Sequence, residues 1–249
     1  MPDHLKNLDR VGAALRSARD GIARERVRPS QRRRQETEQA TKERARQPWR
    51  GAEPSEALTW GELLGGDAFV AMVAEHGGFG QERSILEIGP GYGRLVKAAL
   101  GAGLPFRRWT GVDLSASNVA YLSKEVGDTR VRFVEGDAES VALEGQFDTM
   151  LSSLTLKHLY PTFEVALGNV ARHMAPGGLL FFDLVEAKLL DRILSVDAYF
   201  RQETTYIRRY AQGEVRDILG RCGLALVTFD EVEHAPGRRR LLVMARAAA

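Results

Sequence analysis

The sequence Leu86-Glu-Ile-Gly-Pro-Gly-Tyr-Gly93 joins a short apolar run directly to three glycines spaced two residues apart. The apolar run predicts a buried strand, and the stretch that follows, Tyr92–Gly101, predicts a helix. Glycine lets the backbone turn sharply and come close to a ligand, because it has no Cβ atom. The first turn of the helix offers unpaired N–H groups to a polar ligand. This strand–loop–helix unit is therefore the first candidate binding site.

The spacing of these glycines separates the loop from two other ligand-binding loops. The dinucleotide fingerprint has its third glycine three residues after the second, and here that position is Arg94. A P-loop needs a Gly-Lys-Ser/Thr ending, which does not follow. A nicotinamide or flavin enzyme is thus disfavoured, and a P-loop enzyme is excluded.

Strands and helices alternate from Ser84 onward, which predicts a parallel sheet with helices on both faces. A mixed helical region is predicted over Lys188–Phe200 and Glu203–Tyr210. The last two strands, Leu224–Glu233 and Arg239–Ala245, are joined by a short turn and must be antiparallel. The predicted strands before them are Ser84–Gly89, Trp109–Asp113, Val131–Glu135, Phe147–Ser153 and Gly178–Asp183.

Acidic residues follow the predicted strands in a fixed order. Asp113 ends the second strand, where a carboxylate can accept hydrogen bonds from both ribose hydroxyls. Asp137 follows the third strand, and its carboxylate can accept a hydrogen bond from the exocyclic amine of an adenine. Each acid alone is also an ordinary helix N-cap. The ordered series, rather than either acid, indicates a nucleoside site.

These motifs together resemble the motif series of class I S-adenosylmethionine (SAM)-dependent methyltransferases. The resemblance covers about Ser84–Ala245 and implies a Rossmann-like, seven-stranded, mostly parallel sheet whose last strand is reversed. It implies SAM as cofactor and S-adenosylhomocysteine as product. The implied cofactor residues are Glu87, Gly89, Gly91 and Gly93 for the methionine part, Asp113 and Leu114 for the ribose, Asp137 and Ala138 for the adenine, and Ser153 and Leu154 for the methionine end.

The segment after the fourth strand is the place to look for catalytic groups. Methyl transfer from a sulfonium needs mainly alignment of the nucleophile, and a hydroxyl nucleophile gains from a base. His158 is the candidate base because its ordinary pKa of about 6.5 suits neutral pH. The alternative is that His158 packs at a helix entry. Asp183 and Glu186 are expected to orient His158 or a substrate hydroxyl; no metal site is predicted, although the spacing leaves a divalent ion open.

A small acceptor, a saccharide or a glycosylated natural product, is predicted. Tyr206 and Arg208 alternate in an aromatic and basic segment, which favours stacking on a sugar and hydrogen bonding to it. Trp60 is expected to cover the site from the N-terminal side. The alternatives are an RNA or protein methyltransferase and a SAM-binding module without catalysis.

Charge is uneven along the chain. Residues 1–60 hold 14 Lys and Arg against 9 Asp and Glu, and the remainder holds 21 against 24. We predict a charged, helical N-terminal arm over residues 1–56 and a methyltransferase domain over 57–249. The slightly acidic body makes nucleic acid an unlikely partner. No apolar run is long enough for a membrane span, and one cysteine fits a cytoplasmic setting; a homo-oligomer is left open.

Overall fold

The computed structural model describes residues 38–54, 66–188, 191, 193–194, 197–202, 204–235 and 238–248. Its strands are β1 Ser84–Ile88, β2 Arg108–Asp113, β3 Val131–Glu135, β4 Phe147–Ser152, β5 Met174–Glu186, β6 Ala198–Arg201, β7 Thr205–Tyr210, β8 Leu224–Ala235 and β9 Arg238–Ala247. Its helices are α1 Glu38–Arg50, α2 Asp67–Glu75, α3 Arg94–Gly101, α4 Ala116–Glu125, α5 Glu164–Ala171 and α6 Gln212–Arg221, with a 3₁₀ turn at Leu156–His158.

Seven of the strands form the central sheet in the order β3-β2-β1-β4-β5-β9-β8. The first five are parallel, and β9 runs antiparallel to both β5 and β8. The last strand of the chain is therefore the reversed one. This order confirms the predicted α/β architecture, including the terminal antiparallel hairpin.

Helices cover both faces of the sheet because alternate residues of its strands point to opposite sides. On β1, Leu86 joins the core cluster that contains α5 and α6 side chains. Its neighbour Ile85 joins the cluster that contains α2 and α3 side chains. The near-continuous burial of β1 and β4 follows from this two-sided cover.

The region between β5 and α6 differs from the prediction. Glu203–Tyr210 was expected to be helical, but β6 and β7 form an antiparallel hairpin there. Strand β7 continues the sheet beyond the end of β5, since Val185 pairs with Arg209. The segment is rich in β-branched and aromatic residues, which favour a strand. The hairpin therefore extends one wall beyond the carboxyl end of the parallel sheet.

Helix α1 packs against this hairpin. Ala45 is buried in a small apolar cluster with Phe200 and Tyr206. The Arg44 guanidinium lies 4.0 Å from the Phe200 ring centroid. The described part of the predicted N-terminal arm is thus a packed helix; residues 1–37 and the predicted boundary at 56/57 lie outside the described residues. No helix in the described ranges is both long and apolar enough to cross a membrane.

Candidate active site

A cavity of about 730 Å³ opens at the carboxyl ends of the parallel strands. This is the edge where ligands bind in open α/β sheets. Helix α1, the glycine loop, the β4 end and the β6–β7 hairpin all contribute to its wall. The sequence-predicted residues on the wall are Glu87, Gly89, Gly91, Asp113, Leu114, Asp137, Ala138, Ser153, Leu154 and His158.

The glycine loop has the backbone that its sequence predicts. Gly89, Gly91 and Gly93 have φ values of 69°, 58° and 87°, in the left-handed region that favours glycine. A Cβ atom on Gly89 would collide with the Thr155 side chain, whereas one on Gly91 would meet no atom within 4 Å. Gly89 is thus needed for packing, and Gly91 leaves open space beside the cavity. Gly93 is the N-cap of α3 and does not line the cavity.

Two buried acids lie beside the glycine loop: Glu87 on β1, before the loop, and Asp113 at the end of β2. Trp109 Nε1 donates to Glu87 Oε2 at 3.0 Å. Burial raises the pKa of Glu87 to about 8, although this hydrogen bond acts the other way. Asp113 accepts from the backbone N–H of Gly91 at 2.8 Å and of Ser115 at 2.9 Å. Burial raises the pKa of Asp113, and both backbone hydrogen bonds oppose the rise.

Asp137 connects the nucleoside end of the cavity to α1. Its Oδ2 atom lies 2.6 Å from Arg46 Nη2, and its Oδ1 atom accepts from the Glu139 N–H at 2.9 Å. The same Arg46 nitrogen lies 2.9 Å from Glu139 Oε2, which also pairs with Lys42. Helix α1 is therefore held on this rim by ion pairs. Beyond α1, the Ser115 hydroxyl donates to the Ala52 carbonyl at 2.7 Å.

Asp183 joins a buried polar network below the cavity. Its carboxylate accepts from the Ser153 hydroxyl and from the Leu154 N–H at 3.0 Å. His234 Nε2 lies 3.2 Å away, and Arg94 donates to the Ser153 hydroxyl. Burial alone would raise the pKa of Asp183, but His234, the Lys157 charge and the Ser153 hydrogen bond together outweigh burial, and the pKa is lowered. Asp183 thus fixes the β4 end, including Leu154 at φ 62°.

His158 stands on the 3₁₀ turn after β4. Its Nδ1 atom lies 2.6 Å from the Tyr206 carbonyl oxygen, so Nδ1 is the protonated nitrogen. Its ring centroid lies 4.2 Å from that of Trp49 on α1. Burial, with the neighbouring Lys157 charge, holds the pKa of His158 well below its usual range. The ring is therefore neutral, with its lone pair on Nε2.

Asp183 and Glu186 do not orient His158, contrary to expectation. The oxygens of Asp183 are directed to Ser153, Leu154 and His234. Glu186 is exposed, accepts from Gln212 at 2.8 Å and does not line the cavity. The reason is strand alternation at the end of β5, where Asp183 is buried and Glu186 projects away. The Tyr206 carbonyl takes the orienting role instead.

Tyr206 and Arg208 also differ from expectation. The Tyr206 hydroxyl donates to the Pro161 carbonyl at 3.0 Å, and Arg208 donates to Glu214 at 2.6 Å. Neither side chain lines the cavity. Because β7 is a strand, the alternate residues face the cavity: Thr205, Ile207 and Arg209. Trp60 lies outside the described residues.

Several wall residues had no role in the sequence-based prediction. They are Arg46 on α1, Tyr199 and Arg201 on β6, Lys157 on the 3₁₀ turn, and Arg240 on β9. If β7 had been predicted as a strand, the alternation of its side chains would have placed Arg209 on the cavity wall. No local sequence signal places α1 or β9 beside the carboxyl ends of the parallel strands. Within the described ranges, no cluster of three or more His, Cys, Asp or Glu residues is arranged to hold a metal ion.

The residues present fit a nucleoside-containing amino-acid cofactor. Open space beside Gly91 admits a ligand close to the backbone, and the Asp113 and Asp137 carboxylates supply acceptors on the same wall. Glu87 adds a buried carboxyl group at the strand end. This donor and acceptor set matches the methionine, ribose and adenine parts of SAM in the order of the strands.

Part of the chain is similar to known methyltransferases. Residues 86–182 match the model of the methyltransferase domain family. The chain is 27% identical over 157 residues to a malonyl-[acyl-carrier protein] O-methyltransferase of Priestia megaterium, covering 61% of this chain and 57% of that protein. It is 32% identical over 101 residues to a fatty-acid O-methyltransferase of Mycolicibacterium smegmatis, covering 40% and 36%. The chain thus spans less than two thirds of the length of these curated relatives.

A solved structure shows the same fold. The 1,6-didemethyltoxoflavin-N1-methyltransferase of Burkholderia thailandensis, solved with 1,6-didemethyltoxoflavin and S-adenosylhomocysteine bound, superimposes with a TM-score of 0.58 at 23% identity. The superposition covers 73% of this chain and 77% of that chain. The family match over residues 86–182, the strand order and the glycine loop together show that this chain contains a SAM-dependent methyltransferase domain with the class I fold.

Proposed function

We propose that this chain transfers the methyl group of SAM to an oxygen atom of a small acceptor. The observation that carries the proposal is the state of His158: a neutral ring on the cavity wall whose Nδ1 proton is committed to Tyr206. Its Nε2 lone pair is the group that a general base needs. A cavity of about 730 Å³ is in the range of small-molecule sites.

The residues proposed to hold the cofactor keep the roles that the sequence suggests. The Gly89–Gly93 loop and Glu87 would hold the methionine part, and Asp113 with Leu114 the ribose. Asp137 and Ala138 would hold the adenine, and Ser153 and Leu154 the methionine end. When bound, SAM supplies an activated methyl group. The protein then has to align the acceptor oxygen, exclude water and accept its proton.

The water-excluding role falls to α1 and the hairpin. Trp49 lies against His158, and Ile207 also lines the cavity, so both give the acceptor an apolar surface. Removing water from this space strengthens the electrostatic interactions inside it. The neutral form of His158 is itself a consequence of that burial. The closure of the site and the neutral state of the candidate base thus have the same structural origin, which is burial.

The proposed acceptor class is a saccharide or glycosylated natural product hydroxyl. Tyr199 and Arg209 supply a ring and a guanidinium on one wall, 5.2 Å apart, which suits stacking and hydrogen bonding to a sugar. A hydroxyl has a high pKa and needs the base. The proposed sugar contacts thus come from Tyr199 on β6 and Arg209 on β7, in place of Tyr206 and Arg208.

A carboxyl oxygen of an acyl compound is the second candidate. The two curated relatives are named for malonyl-[acyl-carrier protein] and fatty-acid O-methylation. Arg201 and Arg240 give the acceptor wall a positive charge that suits an acidic acceptor, whereas Arg209 on the same wall is paired with Asp191. A carboxylate is already ionised at neutral pH and needs no base. An RNA or protein acceptor has less support, because Arg46 and Lys42 of α1 are paired with Asp137 and Glu139.

Methyl transfer from labelled SAM separates these acceptors. The full chain is incubated with a pool of glycosides, a pool of acyl carboxylic acids, and total RNA. Label in the glycoside pool that is lost in His158→Gln supports the proposal. Label in the acid pool that persists in His158→Gln favours the second candidate. Label in RNA would favour the nucleic-acid alternative. Label in none of the three pools, while calorimetry shows SAM binding that is lost in Asp113→Ala, would leave a binding module without catalysis.

A further inference from the structure

The Lys157 side chain is mostly buried in the cavity wall, and no described residue contacts its ammonium group closely. The residue is 8% exposed and lines the cavity. Within the described part of the chain, it forms no hydrogen bond and no ion pair within 4 Å. An unpaired buried charge is costly, and proteins keep one mainly where a ligand or a proton shift compensates. The contacts of Lys157 within the protein therefore do not explain why a charged group is kept at this position.

Arg240 lies on the same part of the wall. Strands β5 and β9 are antiparallel, and Leu184 pairs with Leu241. Arg240 on β9 is therefore next to Val185 on β5, which also lines the cavity. Its Nε atom is buried and has no hydrogen-bond partner among the described residues. Two cationic side chains thus face one space, each with donors unused. Guanidinium and ammonium donors together are a usual receptor for a carboxylate.

Among the described residues, no carboxylate forms an ion pair with either cation. The charge of Asp183 acts on Lys157 from beyond contact distance, because the Asp183 oxygens are engaged by Ser153, the Leu154 N–H and His234. The charges of Lys157 and Arg240 also reach His158, whose pKa they help to lower. Burial, with Arg240 nearby, lowers the pKa of Lys157 to about 8. A bound anion would oppose both shifts, because a negative charge favours the protonated forms of Lys157 and His158.

We propose that Lys157 and Arg240 form an anion subsite, beside His158, that binds a carboxylate group of the acceptor. This inference rests on the proposed methyl transfer and narrows its acceptor to molecules that carry an acid near the methylated oxygen. The methionine carboxylate of SAM is the other source of such a group. The sheet order favours the acceptor: Lys157 follows β4 and Arg240 stands beside β5, whereas the glycine loop follows β1.

The test measures binding, without turnover, on the full chain loaded with S-adenosylhomocysteine. Hexanoate and 1-hexanol are titrated by calorimetry into the wild type, Lys157→Met, Arg240→Met and the control Lys124→Met. Lys124 is exposed on α4 and away from the cavity. We expect the wild type and the control to prefer hexanoate over hexanol by roughly tenfold or more, and both cavity variants to lose that preference.

Proton uptake gives a second readout that a change in packing would not mimic. At pH 8 a Lys157 ammonium with a pKa of about 8 is about half protonated. A carboxylate bound beside it raises that pKa, so binding takes up a fraction of a proton. Titrations in two buffers of different ionisation enthalpy measure this uptake. We expect it in the wild type and in Lys124→Met, and not in Lys157→Met.

The outcomes separate this subsite from the proposed function. Equal hexanoate affinity in the wild type and both cavity variants, or no binding of hexanoate by the wild type at tens of millimolar, overturns the subsite. A loss of S-adenosylhomocysteine affinity in Lys157→Met, with no change for a decarboxylated analogue, assigns the carboxylate to the cofactor and overturns the acceptor assignment. Failure of the wild type to bind S-adenosylhomocysteine at all would instead count against the proposed function.

Discussion

The Nδ1 atom of His158 and the carbonyl oxygen of Tyr206 lie 2.6 Å apart and join the 3₁₀ turn after β4 to the hairpin strand β7. A carbonyl oxygen only accepts hydrogen bonds, so the contact selects the tautomer with the proton on Nδ1. The hairpin thus orients His158, in the place where a carboxylate was expected. The desolvation cost of this arrangement is small, because a backbone carbonyl, unlike a carboxylate, brings no buried charge.

The pH dependence of turnover follows from this contact. His158 acts in its deprotonated form, and its pKa lies well below the usual value. We expect kcat/KM with a hydroxyl acceptor to be flat above about pH 6.5 and to fall only at lower pH. His158→Gln should lower kcat by roughly 10²–10⁴-fold with SAM affinity retained in calorimetry. An unchanged kcat would remove His158 from the mechanism.

The ion pairs of Arg46 should govern acceptor binding through α1. Arg46→Met leaves Asp137 and Glu139 with weaker partners and frees the helix that carries Trp49. We expect the acceptor KM to rise. The binding free energy of the acceptor should weaken by at most about 2 kcal/mol, the size of one hydrogen bond to a charged group. Arg50→Met is the control, because exposed Arg50 pairs with Glu43 of its own helix. Steady-state kinetics with equal effects in both variants would contradict the role of α1.

The glycine loop can be tested with two glycines of similar backbone. Gly91 and Gly103 have φ values of 58° and 64°, and a Cβ on either meets no atom within 4 Å. Alanine at each position should therefore cost a similar ~1–2 kcal/mol of stability. Only Gly91 lines the cavity, so only Gly91→Ala should weaken SAM binding. Thermal unfolding and calorimetry measure the two effects, and equal SAM affinities would argue against close approach of the cofactor to this loop.

The stability of the ligand-free protein should depend on the Glu87 carboxyl group. Its pKa is about 8 in the fold, against an ordinary value near 4.5. The fold therefore favours the protonated form, and stability falls as pH rises from 4.5 through 8, because folding must then take up a proton. Glu87→Gln should remove this slope and be more stable than the wild type at pH 8. Urea unfolding between pH 5 and pH 9 measures it; parallel profiles would contradict the buried, protonated state.

The sequence predicted the cofactor half of the site better than the acceptor half. Gly89, Asp113 and Asp137 follow strands whose period and order are local signals, so their shared edge could be inferred from topology. His158 could be proposed for the same reason. The placement of α1 over Asp137 depends on contacts between residues some 90 positions apart, such as Arg46 with Glu139, and no local pattern encodes them.

The errors in the acceptor half come from one misassigned segment. Tyr206 and Arg208 were chosen from a region expected to be helical, where neighbouring residues point around a cylinder. In a strand, successive side chains point to opposite faces, so choosing the even positions selected the wrong face. The β-branched and aromatic content of Thr205–Tyr210 was the signal for a strand.

This alternation gives a matched pair of variants on one strand. Arg209 lines the cavity, lies over Tyr199 and pairs with Asp191 at 3.3 Å, whereas Arg208 projects to the other face and donates to Glu214 at 2.6 Å. Arg209→Gln should therefore raise the acceptor KM with little change in SAM affinity. Arg208→Gln should lower the melting temperature through loss of the Glu214 pair and leave the acceptor KM unchanged. Kinetics and thermal unfolding of both variants provide the measurement. If Arg208→Gln raises the acceptor KM more than Arg209→Gln does, the face of β7 that meets the acceptor is the one that the sequence first suggested, and the hairpin register given by the structure does not hold in solution.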